Sequence, residues 1–306
     1  HHYETPSFFF TSKASATILR TEKLIPYFLL LPTIVMIISL TIMPLTLSLW
    51  ASFHKWDMTM PEAEISFVGL ENYQHAIFGD SRFIHSLITT SIFMIASIGA
   101  EFIIGLGIAS ILAQEIRGKG IIRSLLVLPV ILPDIVTGYI FRLMYNYDAG
   151  PVNYLLSRLS IMPVHWLEEA SGAIAGMIVT EVWQWTPFMV MILLAGLLSI
   201  PIEPLEAAKV DGTSTLQMFR YVTLPLIRPI IILALLLRTV DALKAFGMIH
   251  MLTAGGPGNA TEVLSLYIYT VAFKYFNFGY AAALTYLTLI IATVITTIFI
   301  KYLRYK

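Results

Sequence analysis

An all-α integral membrane protein with six transmembrane helices is the fold class this sequence predicts, on three observations. Hydrophobic residues make up 57% of the chain and charged residues 12%, with a mean hydropathy of +0.79, whereas soluble domains carry roughly 25% charge. Apolar runs long enough to cross hydrocarbon, about 20 residues each, recur along the chain. Lys and Arg are distributed unevenly between the loops that these runs define.

The runs lie near 24–50, 83–113, 121–145, 172–199, 226–250 and 279–301. They define a six-helix domain over 24–301, preceded by an N-terminal cytoplasmic segment, 1–23, and followed by a cytoplasmic tail, 302–306. Phe8-Phe9-Phe10 with Ile18 and Leu19 either lie as a helix on the inner leaflet or fray. The first run is too long and too free of charge for a secretory leader and reads as a retained span, kinked at Pro32 and Pro44. Trp50 and Trp56 then mark an interface.

The second run carries Glu101 among apolar residues, with Gly105 and Gly107 as packing positions. An unpaired carboxylate in hydrocarbon costs several kcal/mol, so Glu101 either pairs with an Arg or faces a polar pathway. Pro129 and Pro133 predict a broken third span, a device tolerated where backbone lines a cavity. The fourth run reads Glu181-Val182-Trp183-Gln184-Trp185. Indole faces stack on the apolar faces of a ligand while amides reach its polar groups, which makes Trp183, Gln184 and Trp185 cavity candidates, with interfacial anchoring as the alternative for each Trp. On the fifth run Arg238, Asp241 and Lys244 follow at spacings of three, so Asp241 can neutralise either base. With Phe246 and His250 on the adjoining turns, Asp241 and Lys244 complete the substrate-pathway set.

Orientation follows from the cations. With the N-terminus inside, the inner segments hold Lys13, Arg20, Lys23, Arg117, Lys119, Arg123, Lys209, Arg220, Arg228, Lys301, Arg304 and Lys306, and the outer loops hold Lys55, Arg82, Arg158 and Lys274. Twelve against four puts both termini in the cytoplasm. Zero net charge gives no sign of nucleic-acid binding, and zero Cys excludes disulfides and thiolate metal sites. No catalytic or metal-binding residue is assigned, and no cofactor is expected on the chain: it lacks HExxH, Gly-x-Ser-x-Gly and Walker signatures, Gly255-Gly256-Pro257 having no Gly-Lys-Ser/Thr after it.

Between the fourth and fifth runs lies a polar hairpin, 201–225. Pro204 suits a first helical turn, and Glu203 and Glu206 sit at its positive end. Gly212 ends that helix, Ser214 and Gln217 form a capping box for a second, and Pro225 is expected to close it. Leu205, Ala208, Leu216 and Phe219 are expected to show among the charges. Glu206, Ala207, Ala208, Asp211, Gly212, Phe219, Leu224, Pro225 and Pro229 stand where the EAA motif of ATP-binding-cassette importer permeases has them, with Thr213 for its usual Ala and Val222 for Ile.

Three further elements resemble the carbohydrate-uptake branch of that family. They are Gly69-Leu70-Glu71-Asn72-Tyr73, the run from Pro129 and Pro133 to Gly150 and Asn153, and Gly255-Gly256-Pro257 with Thr261, Tyr267, Tyr269 and Phe278-Gly279-Tyr280. The stretches 181–189 and 238–246 look most like those of trehalose or maltose permeases. The resemblance implies a subunit forming half of a sugar pathway. Its expected partners are a second permease subunit, two cytoplasmic ATPase subunits holding ATP and Mg, and an extracytoplasmic solute-binding protein. The hairpin would be the ATPase-coupling element. A competing reading is an ion- or proton-coupled secondary transporter with Glu101, Asp134, Asp241 and Lys244 as its relay.

Overall fold

The computed structural model describes residues 29–59, 65–115 and 117–304; the segment 1–23 and the first residues of the predicted first span lie outside them. Twelve helices result. α1 (Leu29–Ser52) is followed by a two-stranded antiparallel ribbon, β1 (His54–Lys55) with β2 (Ser66–Phe67), and by α2 (Glu71–Gln74). Then come α3 (Ser81–Leu112), α4 (Lys119–Ile131), α5 (Asp134–Met144), α6 (Pro151–Arg158) and α7 (Ala170–Leu198). The hairpin contributes α8 (Ile202–Val210), and α9 (Thr215–Ala242), α10 (Gly247–Leu252), α11 (Leu264–Tyr269) and α12 (Phe278–Arg304) complete the chain.

Five helices (α1, α3, α7, α9 and α12) are long and apolar enough to cross a membrane. The pair α4 and α5, bent by 94°, makes a sixth span if counted as one. The bend falls at Leu132-Pro133, where Leu132 adopts φ −69°, ψ 132°, because a residue before proline is pushed out of the helical region. The anticipated break is therefore there. The fifth span differs from expectation: instead of running to 250 it ends at Ala242, and Leu243–Phe246 turn the chain into the separate α10. Ser265 donates to the Ala245 carbonyl freed by this break, so the interruption leaves that group paired.

Pro225 does not close a helix either. The turn Phe219–Thr223 is widened so that Leu224 donates to Phe219, five residues back, which relieves the clash a proline ring makes with the carbonyl four residues earlier. Ile38–Ile42 is widened in the same way ahead of Pro44. α9 thus continues from the hairpin into the membrane as one rod.

α3 and α7 form the most extensive helix pair. A Cβ on Gly105 would come within 2.8 Å of Met189 Cγ, so this glycine permits the approach of the two helices. Nothing lies within 4 Å of a Cβ on Gly107, so this glycine packs against no other helix of the described residues. The main core, built on Phe93, Met177, Met189, Leu193, Ile249 and Leu252, surrounds this pair. α1 packs chiefly on α12, and its hydropathic window buries nothing within the chain.

At the opposite end from the hairpin, a polar lattice fastens the loop 253–262 to the start of α3. Arg82 forms a forked pair with the buried Glu262, Nε to Oε2 at 2.6 Å and Nη2 to Oε1 at 2.8 Å, and donates to the Tyr275 hydroxyl at 2.6 Å. Asp80 caps α3 by accepting from the amides of Arg82 (2.9 Å) and Phe83 (3.0 Å), and the hydroxyls of Tyr267 and Tyr280 donate to its other oxygen. Burial works against ionisation, but these four donors outweigh it and hold the Asp80 carboxyl below the usual carboxylate range. Burial and the Asp80 carboxylate both push the Tyr267 hydroxyl above the phenol range, keeping it a donor.

Because the folded pKa is depressed, the stabilisation from Asp80 is complete above its unfolded value of about 4 and disappears as pH falls through the lower folded value. Asp80→Asn should lower the melting temperature at pH 7, and the gap from the parent should narrow as the pH is taken below about 4. A gap independent of pH would contradict this.

Candidate functional site

Mid-depth in the bundle the apolar core gives way to one guanidinium ringed by carboxylates. Arg238 lies 14 residues past Leu224, about 21 Å along α9, and Glu101 lies 11 residues before Leu112, about 16 Å along α3; both depths are interior to a hydrocarbon layer of roughly 30 Å. Arg238 Nε and Nη2 meet the two oxygens of Glu101 at 2.7 and 3.0 Å. Its Nη2 also donates to Glu181 on α7 at 2.7 Å, and Nη1 to Asp241 at 2.9 Å. The side chains of Arg238 and Glu101 are wholly inaccessible, Glu181 is nearly so, and Asp241 is half-exposed. The sequence pattern foresaw the Glu101–Arg and Arg238–Asp241 pairings as one of two readings. It did not single out Glu181, although a second acid in an apolar run obeys the same pairing rule.

The Arg238 guanidinium also lies 4.5 Å from the centre of the Trp185 ring, a cation–π contact strengthened by its dry surroundings. Trp185, Phe188, Arg238, Asp241, Lys244 and Thr296 line a hollow of about 520 Å³, within the range of small-molecule sites. Lys244 forms no ion pair among the described residues, and it also borders an adjoining hollow of about 380 Å³ against α11 and α12.

The remaining predicted pathway residues lie elsewhere. Trp183, two positions from Trp185, points to the other face of α7, where it packs on Phe141 and borders an apolar groove with Ile104, Ile122 and Pro129. Gln184 is buried and donates to the Leu132 carbonyl (3.1 Å) and to Asp134 Oδ1 (2.9 Å). It thereby pairs the backbone group exposed by the broken span. Phe246 and His250 stack on each other at 5.2 Å and pack against Tyr269 beyond the break after α9, so neither borders the 520 Å³ hollow. Among the described residues no group of three His, Asp or Glu is placed to hold a metal ion.

At the other end, the hairpin is ordered by its own hydrogen bonds. Gly212 takes φ +71° with open space where a Cβ would stand, and Thr213 donates through both N–H and hydroxyl to the Ala208 carbonyl, at 3.2 and 2.7 Å. The capping box is complete: Ser214 N–H to Gln217 at 2.8 Å and Gln217 N–H to Ser214 at 3.3 Å. Glu206, Ala207 and Asp211 face outward, while Ala208 is buried and Leu205 and Phe219 are half-buried, which corrects the expectation that these three are displayed. The apolar residues most exposed on the hairpin are Leu216 (75%), Val210 (87%) and Tyr221 (70%), with Ile202 at its start (63%). Leu224 is half-buried and Pro225 exposed, both at the foot of the membrane-entering part of α9.

A bundle of spanning helices with a broken span, and at mid-depth a largely apolar hollow edged by Arg238, Asp241 and Lys244, defines a polytopic membrane protein. Comparison with known proteins narrows this: the chain belongs to the family of binding-protein-dependent transport system inner membrane components, which matches residues 102–305. The trehalose/maltose transport system permease protein MalF of Thermococcus litoralis is 37% identical over 288 residues, 93% of this chain and 95% of the relative. The trehalose transport system permease protein SugA of Mycobacterium tuberculosis is 32% identical over 292 residues, 92% and 89% of the two chains. The same fold occurs in the bacterial alginate ABC transporter solved in complex with an alginate pentasaccharide-bound periplasmic protein, with a TM-score of 0.77 at 23% identity over 91% of this chain and 93% of that one. The chain is thus a permease subunit of an ABC importer. The relay of a secondary transporter is correspondingly set aside: Glu101 and Asp241 are engaged by Arg238 and Asp134 by Gln184.

Replacing Gln184 by Leu removes the donor to the half-buried Leu132 carbonyl and to the exposed Asp134, two hydrogen bonds that contribute on the order of 1 kcal/mol each. Gln184→Leu should lower the melting temperature of the detergent-solubilised chain, with Gln184→Glu no better because it cannot donate; a melting temperature equal to the parent's would contradict the assignment.

Proposed function

We propose that this chain forms half of the translocation pathway of an ATP-driven importer for a di- or oligosaccharide such as trehalose or maltose. Its coupling element is the hairpin 201–225, and its termini face the cytoplasm. The observation that carries this reading is the exposed, internally braced hairpin continuing as a single helix to the ionic cluster and hollow. The excess of cations on the same side supports a cytoplasmic hairpin. The named substrates of the trehalose/maltose and trehalose permeases support a glucosyl sugar.

ATP and Mg would be bound and consumed on two partner ATPase subunits. A second permease subunit would close the pathway, and an extracytoplasmic solute-binding protein would deliver the sugar. On the ATPase, Val210, Leu216 and Tyr221 would fill an apolar depression while Glu206, Asp211 and Arg220 pair at its rim, the division of labour usual at interfaces. Closure of the ATPase dimer would then displace the hairpin and rock the spans between inward- and outward-facing arrangements; only contacts that differ between the two states can transmit work. In the hollow, the free face of Trp185 with Phe188 would stack on the sugar ring while Asp241 and Lys244 bond its hydroxyls.

Gly212→Pro cannot adopt φ +71°, because proline holds φ near −65°, and Glu206→Lys reverses an exposed charge. Both variants should insert normally and assemble poorly with the ATPase, lowering ATP-dependent trehalose or maltose uptake in proteoliposomes by about tenfold or more, the size of an ordinary coupling free energy. Uptake at the parental rate would refute the role of the hairpin. Trp185→Ala should weaken uptake with the ATPase still bound, and should leave the hairpin's assembly unaffected; uptake kinetics against sugar concentration decide it.

A further inference from the structure

The hairpin and the hollow lie far apart yet share one helix. From Ser214 to Arg238 is 24 residues, about 36 Å of uninterrupted helix at 1.5 Å per residue. At the far end of this rod Arg238 holds three elements at once: Glu101 of α3, Glu181 of α7 and Asp241 on its own helix. It also covers one face of Trp185, and Trp185 and Asp241 both border the hollow.

Stability alone does not explain this arrangement. Burying charges costs as much as their attraction returns, and well-packed apolar side chains of similar volume usually serve a fold equally well or better. Three acceptors around one fork have a different consequence. When α9 turns or slides against α3 and α7, the guanidinium can release one carboxylate and keep two, so the rod moves without an unpaired charge being exposed to hydrocarbon. Asp241 travels with Arg238, whereas Glu101 and Glu181 stay with the other two helices, so relative motion is resisted at those two bonds. Trp185 belongs to α7 and rests on a group belonging to α9, so the same motion changes the wall of the hollow.

We propose that Arg238 is a positioning residue for transport: its clasp on Glu101 and Glu181 converts displacement of the hairpin into a change in the placement of Trp185 and Asp241. This rests on the reading of hairpin and hollow under Proposed function.

The test uses the full importer in proteoliposomes, with ATP hydrolysis and trehalose or maltose uptake measured together. The combined variant Arg238→Met, Glu101→Leu, Glu181→Met removes the buried charges as a set and leaves Asp241 hydrated. It should assemble, while sugar moved per ATP hydrolysed falls by about tenfold or more, within the span of typical coupling free energies. Arg238→Lys keeps a charge but loses the fork, and should lower the same ratio. Parental ratios in both would overturn the proposal. If the combined variant does not assemble, Glu181→Gln, which keeps the Arg238–Glu101 pair and the side-chain shape, is read instead, and an unchanged ratio overturns the proposal equally. Hairpin variants that uncouple while cluster variants do not would sink this inference alone. Hairpin variants that remain coupled would sink the reading beneath it.

Discussion

A guanidinium in hydrocarbon must be surrounded by acceptors, and the middle of this bundle is arranged to supply them. Moving one ion into a dry interior still costs several kcal/mol after relaxation, so Arg238 is tolerable only where α3, α7 and α9 meet and each can present a carboxylate to it. That requirement sets the rotation of three helices about their axes. Gly105 permits the necessary approach of α3 to α7, and the apolar core fills in around the pair. The hollow lies beside the cluster, where Lys244 and the half-exposed Asp241 edge an otherwise largely apolar wall.

Interruptions of the helices are the second organising feature, and each is compensated nearby. The break at Leu132-Pro133 exposes a carbonyl that Gln184 recovers from a neighbouring helix. The break after Ala242 exposes another that Ser265 recovers. Ahead of Pro44 and Pro225 a single widened turn absorbs the ring instead, and the helix goes on. These prolines thus have two outcomes, while Pro129, Pro187 and Pro229 lie inside helices that continue through them. Where the following residues find helical partners beyond a wide turn, the rod is kept; where a polar side chain stands ready to satisfy the freed backbone, the span divides. The unbroken case joins the hairpin to the cluster.

In the coupling role proposed for the hairpin, the mechanical continuity of α9 matters more than the affinity of any one contact. Its entry end is braced by a complete capping box, and its far end is fixed to two other spans. The lattice of Asp80, Arg82, Glu262 and the tyrosines fixes the start of α3 at the end opposite the hairpin, so α3 is held both there and at its middle.

Much of this was readable in the amino-acid order. Membrane class, the positions of the spans, the break at Pro133 and the caps of the hairpin depend on local rules of hydropathy, ring geometry and backbone bonding, which act over a few residues. Burial and facing were not readable, because they depend on residues distant in the chain. Trp183 and Trp185 look equivalent in a line of letters, yet a 100° step per residue sends one toward an apolar groove and the other onto Arg238. Likewise Pro225 and Pro133 carry the same local signal; only the neighbours each segment meets decided that one helix continues and the other splits. Sequence by itself determined that Glu101 and Arg238 needed partners, since hydrocarbon admits no lone charge. Tertiary structure alone decided that the partners were one another, joined by Glu181, because only packing brings charges 137 and 57 residues apart within 3 Å.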